Sequence, residues 1–125
     1  MLKRFVTAIF AFSFTAMVTF SVPAYADPPL VTEVTVSQNG DVYRFDVTIS
    51  HKDFGWEHYA DAWRILDMDG NELGLRDLAH PHDGQQRLTR SLSNIQIPDG
   101  VTSVGIQARD SLTGWSPDVK IVKLP

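Results

Sequence analysis

The stretch HKDFGWEHYADAW, residues 51–63, gathers two histidines, three acids and four aromatic residues. The other two histidines of the chain follow in HPHDGQQ, residues 80–86. Imidazole is a natural ligand for Zn(II) and Cu(II), and a neighbouring carboxylate either joins the coordination shell or orients a ring from behind. His51, His58, His80 and His82 are therefore candidate metal ligands, with Asp53, Glu57 and Asp83 as additional ligands or orienting groups. In extended chain a His-x-His pair points both rings the same way, because side chains repeat every two residues. A plainer reading stands beside this one: the histidines are ordinary surface-loop residues, since neither spacing is diagnostic in the way a paired C-x-x-C set is. A soft copper(I) site is disfavoured, because the chain has no cysteine and Met68 is the one methionine beyond the N-terminal segment. The zinc or copper(II) ion is thus the cofactor expected.

What must position these residues is a set of short strands. Val34 and Val36 alternate with polar residues before Asn39-Gly40, a tight hairpin signal. Tyr43, Phe45, Val47 and Ile49 then face one way. A third strand carries Tyr59, Asp61, Trp63 and Ile65 on one face, and after the turn at Asp67–Asn71 a fourth runs from Leu73 to Leu78. Leu88–Leu92, Val104–Ala108 and Val119–Ile121 supply three more. Seven short strands with regularly spaced turns predict an all-β, immunoglobulin-like antiparallel sandwich over residues 27–125.

In such a sandwich successive connections alternate between two ends. The second–third, fourth–fifth and sixth–seventh loops share one end, which brings all four histidines there. Trp56, Tyr59 and Trp115 fall near the same rim and make a candidate recognition platform for a protein or glycan. Asp61 and Arg90 each interrupt an apolar face, so the alternation predicts a buried Asp61–Arg90 ion pair beneath the histidine loops.

Trp63 on the third strand and the ending GWSPDVKIVKLP resemble fibronectin type III and related immunoglobulin-like domains. The resemblance implies a sandwich with a buried tryptophan. It departs from the antibody type in lacking both the inter-sheet disulfide and a tyrosine corner. The combination of GWEHYADAW, HPH and TRSL also resembles an uncharacterised group of small exported bacterial proteins, and this implies no activity.

Lys3 and Arg4, an apolar run from Phe5 to Val22, and Ala24-Tyr25-Ala26 form a signal-peptide pattern over residues 1–26. The alternative is an N-terminal membrane anchor, which the five Ser and Thr residues of the run disfavour. Export to the periplasm or the extracellular space is expected, with the mature form not membrane-embedded. Residues 27–125 carry nine basic and fifteen acidic residues, a net charge of −6, which argues against a nucleic-acid partner. The chain has no G-x-S-x-G, phosphate loop or H-E-x-x-H motif, so a non-enzymatic role is expected. The run DMDGNE places its glycine too early for an EF-hand and reads as a hairpin turn.

Overall fold

In a computed structural model the described residues are 11–19 and 28–125. The signal-peptide pattern lies largely outside them, and residues 11–19 have no regular secondary structure. No helix among the described residues is long and apolar enough to cross a membrane.

The rest of the chain forms seven strands: β1 (Leu30–Asn39), β2 (Val42–Ser50), β3 (Ala60–Leu66), β4 (Glu72–Asp77), β5 (Arg87–Gln96), β6 (Ser103–Asp110) and β7 (Gly114–Lys123). They pair antiparallel in two sheets, one in the order β1-β2-β5 and the other β4-β3-β6-β7. The period-two pattern dictates which side chains fill the space between sheets. Phe45, Val47 and Ile49 from β2 meet Trp63 and Ile65 from β3 and Val104, Ile106 and Ala108 from β6, all at most 1% exposed.

Local chemistry sets the connections. β1 and β2 are joined through Gly40 and Asp41, and the positive φ of Gly40 (61°) is what a two-residue hairpin turn demands at its first position. Asp67 closes the β3–β4 turn by accepting from the amides of Asp69 and Asn71 and from the Asn71 side chain, so its carboxylate is occupied by the turn itself.

Each of the five strand pairings carries one register shift, and one of these shifts overturns the expected Asp61–Arg90 pair. Between Ala60 and Ala62 the register of β3 against β6 slips by a bulge, since Ala60 pairs with Asp110 and Ala62 with Arg109. The extra residue is Asp61. A bulge reverses the facing of whatever precedes it, so Ala60 joins the core while Asp61 turns to Arg109, whose Nε donates to Asp61 Oδ1 at 2.8 Å. Arg90 does hold its place between Leu88 and Leu92, but it lies on an edge strand and donates to the His82 ring instead. Another shift lies between β2 and β5, where Asn94 takes φ 58°.

Trp115 also sits elsewhere than expected. It lies on β7 against two guanidinium groups, with Arg64 3.9 Å and Arg109 4.9 Å from its ring centroid. It belongs to a polar ladder that continues to Asp61, Gln107 and Glu72, and is not part of the loop rim.

The fully buried Trp63 links both sheets through the core cluster. Trp63→Ala is expected to lower stability by about 3–5 kcal/mol, the usual cost of deleting a large core aromatic. Urea unfolding followed by circular dichroism measures this, and a loss below about 1 kcal/mol would mean that the core does not depend on that ring.

Candidate metal centre

The three loops that the strand alternation assigns to one end are joined there by their own backbones. His51 N donates to Gln86 O (3.0 Å) and Ser111 N to Tyr59 O (2.9 Å), so the β2–β3 loop is fastened to both the β4–β5 and the β6–β7 connections. Gly55, with φ 58°, turns the β2–β3 loop back on itself, and Phe54 N reaches His58 O at 2.7 Å. This fold-back brings the two ends of the loop together. His51 and His58 therefore meet edge to face, with ring centroids 4.9 Å apart.

Beneath them, Asp53 is the hub. Its Oδ1 accepts from the His51 ring at Nδ1 (2.6 Å) and from Ala60 N (3.0 Å), while Oδ2 accepts from His82 N (2.8 Å). The side chains of His51 and Asp53 are 2% and 4% exposed, so this is a desolvated, charge-assisted contact. Burial pushes the Asp53 carboxyl up, but the bonds from the His82 amide, the His51 ring and the Ala60 amide outweigh it and hold the group below the usual carboxylate range. An ionised carboxylate only accepts, so Nδ1 of His51 carries the proton and Nε2 is the ring nitrogen left to offer a lone pair to a ligand.

That lone pair points into the protein. His51 Nε2 and His58 Nε2 are both buried and without a hydrogen-bond partner. Asp110 faces them: its Oδ1 is 3.4 Å from His58 Nε2, outside hydrogen-bond alignment. Asp110 is 1% exposed and continues the inward phase of Val104, Ile106 and Ala108 on β6. It accepts from the amides of Leu112 and Thr113 and from the Thr113 hydroxyl. Burial raises its carboxyl, and those bonds, led by Thr113 and aided by His58, bring it down on balance.

The ligand-capable atoms of His51, His58 and Asp110 lie within 4.8 Å of one another. Ligands around a tetrahedral ion stand about 3.4 Å apart, so an ion would draw the trio inward by about an ångström. Two imidazoles and a carboxylate are a donor set suited to Zn(II) or Cu(II), and the Asp53–His51 contact is the carboxylate–histidine arrangement that orients metal-bound rings. Among the described residues this is the one cluster of its kind.

The four histidines do not form one site. His80 and His82 stack with centroids 4.5 Å apart, yet His82 Nε2 is engaged by Arg90 Nη2 at 3.1 Å and His80 Nδ1 lies against Pro81 O. A guanidinium beside His82 opposes a second cation. Burial, then His80 and Arg90, keeps the His82 ring below its usual titration range. Of the other acids, Asp83 accepts from Gly55 N and Glu57 is exposed, so neither joins the cluster. Asp110 was not singled out by the sequence reading, although an acid on the apolar phase of β6 was the signal that would have found it.

At the rim, Trp56 is 68% exposed, meets Tyr59 edge to face at 5.6 Å and bridges to the exposed Phe54; Leu112 of the β6–β7 loop is exposed as well.

Compared with known proteins, the chain is similar to a protein of Halomicrobium mukohataei described as "Putative lipoprotein", at 36% identity over 93 residues. The match covers 74% of this chain and 45% of the relative, so the chain spans less than half of that protein's length. No family model matches the chain, and no solved structure does.

Two predictions follow from Asp53. Asp53→Ala leaves three buried donors without their acceptor and is expected to cost about 3 kcal/mol or more, read by urea unfolding of the metal-free protein. The pH dependence has a definite sign. Both carboxylates are lower in the folded state than in the unfolded one, so each stabilises the fold above about pH 4 and loses that contribution as pH falls through its folded-state value. Stability of the metal-free protein should therefore fall in acid, and the gap between wild type and Asp53→Asn should narrow there. A gap independent of pH would contradict the charged role of Asp53.

Proposed function

We propose that the protein is a small exported metal-binding protein that holds Zn(II) or Cu(II) at His51, His58 and Asp110. The observation that carries this reading is the pair of buried, unpartnered Nε2 atoms facing a carboxylate, one ring being fixed from behind by Asp53. Placement in the cell envelope is supported by the signal-peptide pattern and by the description of the similar Halomicrobium mukohataei protein. These 125 residues include no cysteine that would carry a lipid. The strand order β1-β2-β5 against β4-β3-β6-β7 supports a fibronectin type III-like topology as the scaffold.

The site suits holding an ion more than transforming a substrate. His51, His58 and Asp110 are 7%, 6% and 1% exposed. Catalytic metal sites keep an open position for water or substrate. A closed site fits metal storage, transfer or tolerance outside the cytoplasm, with no enzymatic step.

A second reading rests on the rim. Phe54, Trp56 and Leu112 are each more than half exposed around the same loops, a pattern that favours recognition of a protein or glycan.

Calorimetric titration of the purified protein with Zn(II) and Cu(II) separates the two. The metal reading expects one ion per chain, with Kd below about 1 μM. Binding should be abolished in His58→Ala, weakened about 10–100-fold in Asp53→Asn, and retained when His80 and His82 are both replaced by alanine. No binding, or binding that follows His80 and His82, overturns the assignment and leaves the aromatic rim as the functional surface.

A further inference from the structure

β4 and β5 are the edge strands of the two sheets, and they lie against each other along one open side of the sandwich. Each sends an arginine into that gap. Arg76 shares the phase of Gly74, whose Cβ position faces Ile95 and Leu92, and Arg90 lies between the core-packed Leu88 and Leu92. Together with Asp77, His80 and His82 they line a cleft of about 150 Å³.

Among the described residues, neither of these two arginines, nor Arg87 next along β5, is matched by a carboxylate. Arg44, Arg64 and Arg109 each have a carboxylate within 4 Å, whereas among the described residues Arg76 and Arg90 have none. Arg76 Nη1 donates only to the Asp77 carbonyl, and Arg90 donates to the Thr89 carbonyl and to His82 Nε2. A guanidinium has no acceptor, so His82 Nε2 accepts and its proton sits on Nδ1. That Nδ1 and Arg76 Nε are both buried donors without an acceptor. In a chain of net charge −4, two unmatched guanidinium groups and two imidazoles outnumber the one carboxylate, Asp77, that lines the same cleft.

We propose that this cleft is an oxyanion site, taking a phosphate, sulfate or carboxylate group between Arg76 and Arg90 with the His80 and His82 rings at its wall. The planar fork of a guanidinium matches paired oxygens, and 150 Å³ admits one such group. The rival role for inward-pointing charges on edge strands is to prevent strand pairing with other chains, which needs no ligand. The site is separate from His51, His58 and Asp110, so its test is run with a chelator present.

Wild type, Arg76→Gln, Arg90→Gln and Arg44→Gln are titrated with potassium phosphate, sulfate and acetate at constant ionic strength, following amide shifts by NMR. The expected result is saturable binding with shifts centred on residues 76–90, weakened at least tenfold in both cleft variants and unchanged in Arg44→Gln. Phosphate and sulfate binding above acetate assigns a tetrahedral oxyanion; equal acetate binding assigns a carboxylate group. Shifts that do not saturate, or that are the same in all four proteins, overturn the proposal and leave edge protection as the role of the pair. If Arg90→Gln does not fold, Arg76→Gln decides the question by the same criteria.

Discussion

A single buried carboxylate organises the functional end of this molecule. Asp53 takes hydrogen bonds from the His51 ring, from the first amide of β3 and from the His82 amide, and so fastens two long loops to the start of a core strand. The chain has no cysteine, so no disulfide can do this instead. Each donor is largely hidden from water, which makes the three bonds cooperative in effect: remove the acceptor, and all three lose their partner in a low-dielectric setting. The same contact fixes the tautomer of His51, so loop geometry and imidazole chemistry are one constraint.

From that constraint follows a division of the histidines. His51 and His58 are paired with acids and turn buried, unpartnered Nε2 atoms toward Asp110. His80 and His82 are paired with each other and with Arg90, and their surroundings favour anions. Asp53 lies between the two pairs, bonded to the ring of one and the backbone of the other. Four residues of one type thus serve opposite electrostatics within two adjoining loops, because their neighbours differ.

Much of this architecture was legible because strands alternate in direction and side chains alternate in facing. Phe45, Val47 and Ile49 declared the inner face of β2, and strand parity placed the histidine loops at one end. What escaped was local. The bulge at Asp61 moves one residue out of phase and hands it to Arg109, and a two-residue periodicity carries no sign of such a slip. Arg90 was placed on the right face but faces β4 rather than β3, since a periodicity states which face a residue takes and not which strand lies opposite. Asp110 was visible as an acid in the apolar series of β6, yet its role depends on the fold-back of a loop more than fifty residues earlier, which only tertiary structure shows. Trp115 reads as a rim aromatic and instead contacts the guanidinium groups of Arg64 and Arg109.

The most direct test of the account is the tautomer of His51, read by long-range proton–nitrogen correlation of the imidazole rings in metal-free protein near neutral pH. The account predicts a neutral ring with its proton on Nδ1, and an Nε2 resonance that moves on addition of one equivalent of Zn(II) together with that of His58. A proton on Nε2, or rings at His51 and His58 that ignore the metal, would contradict it.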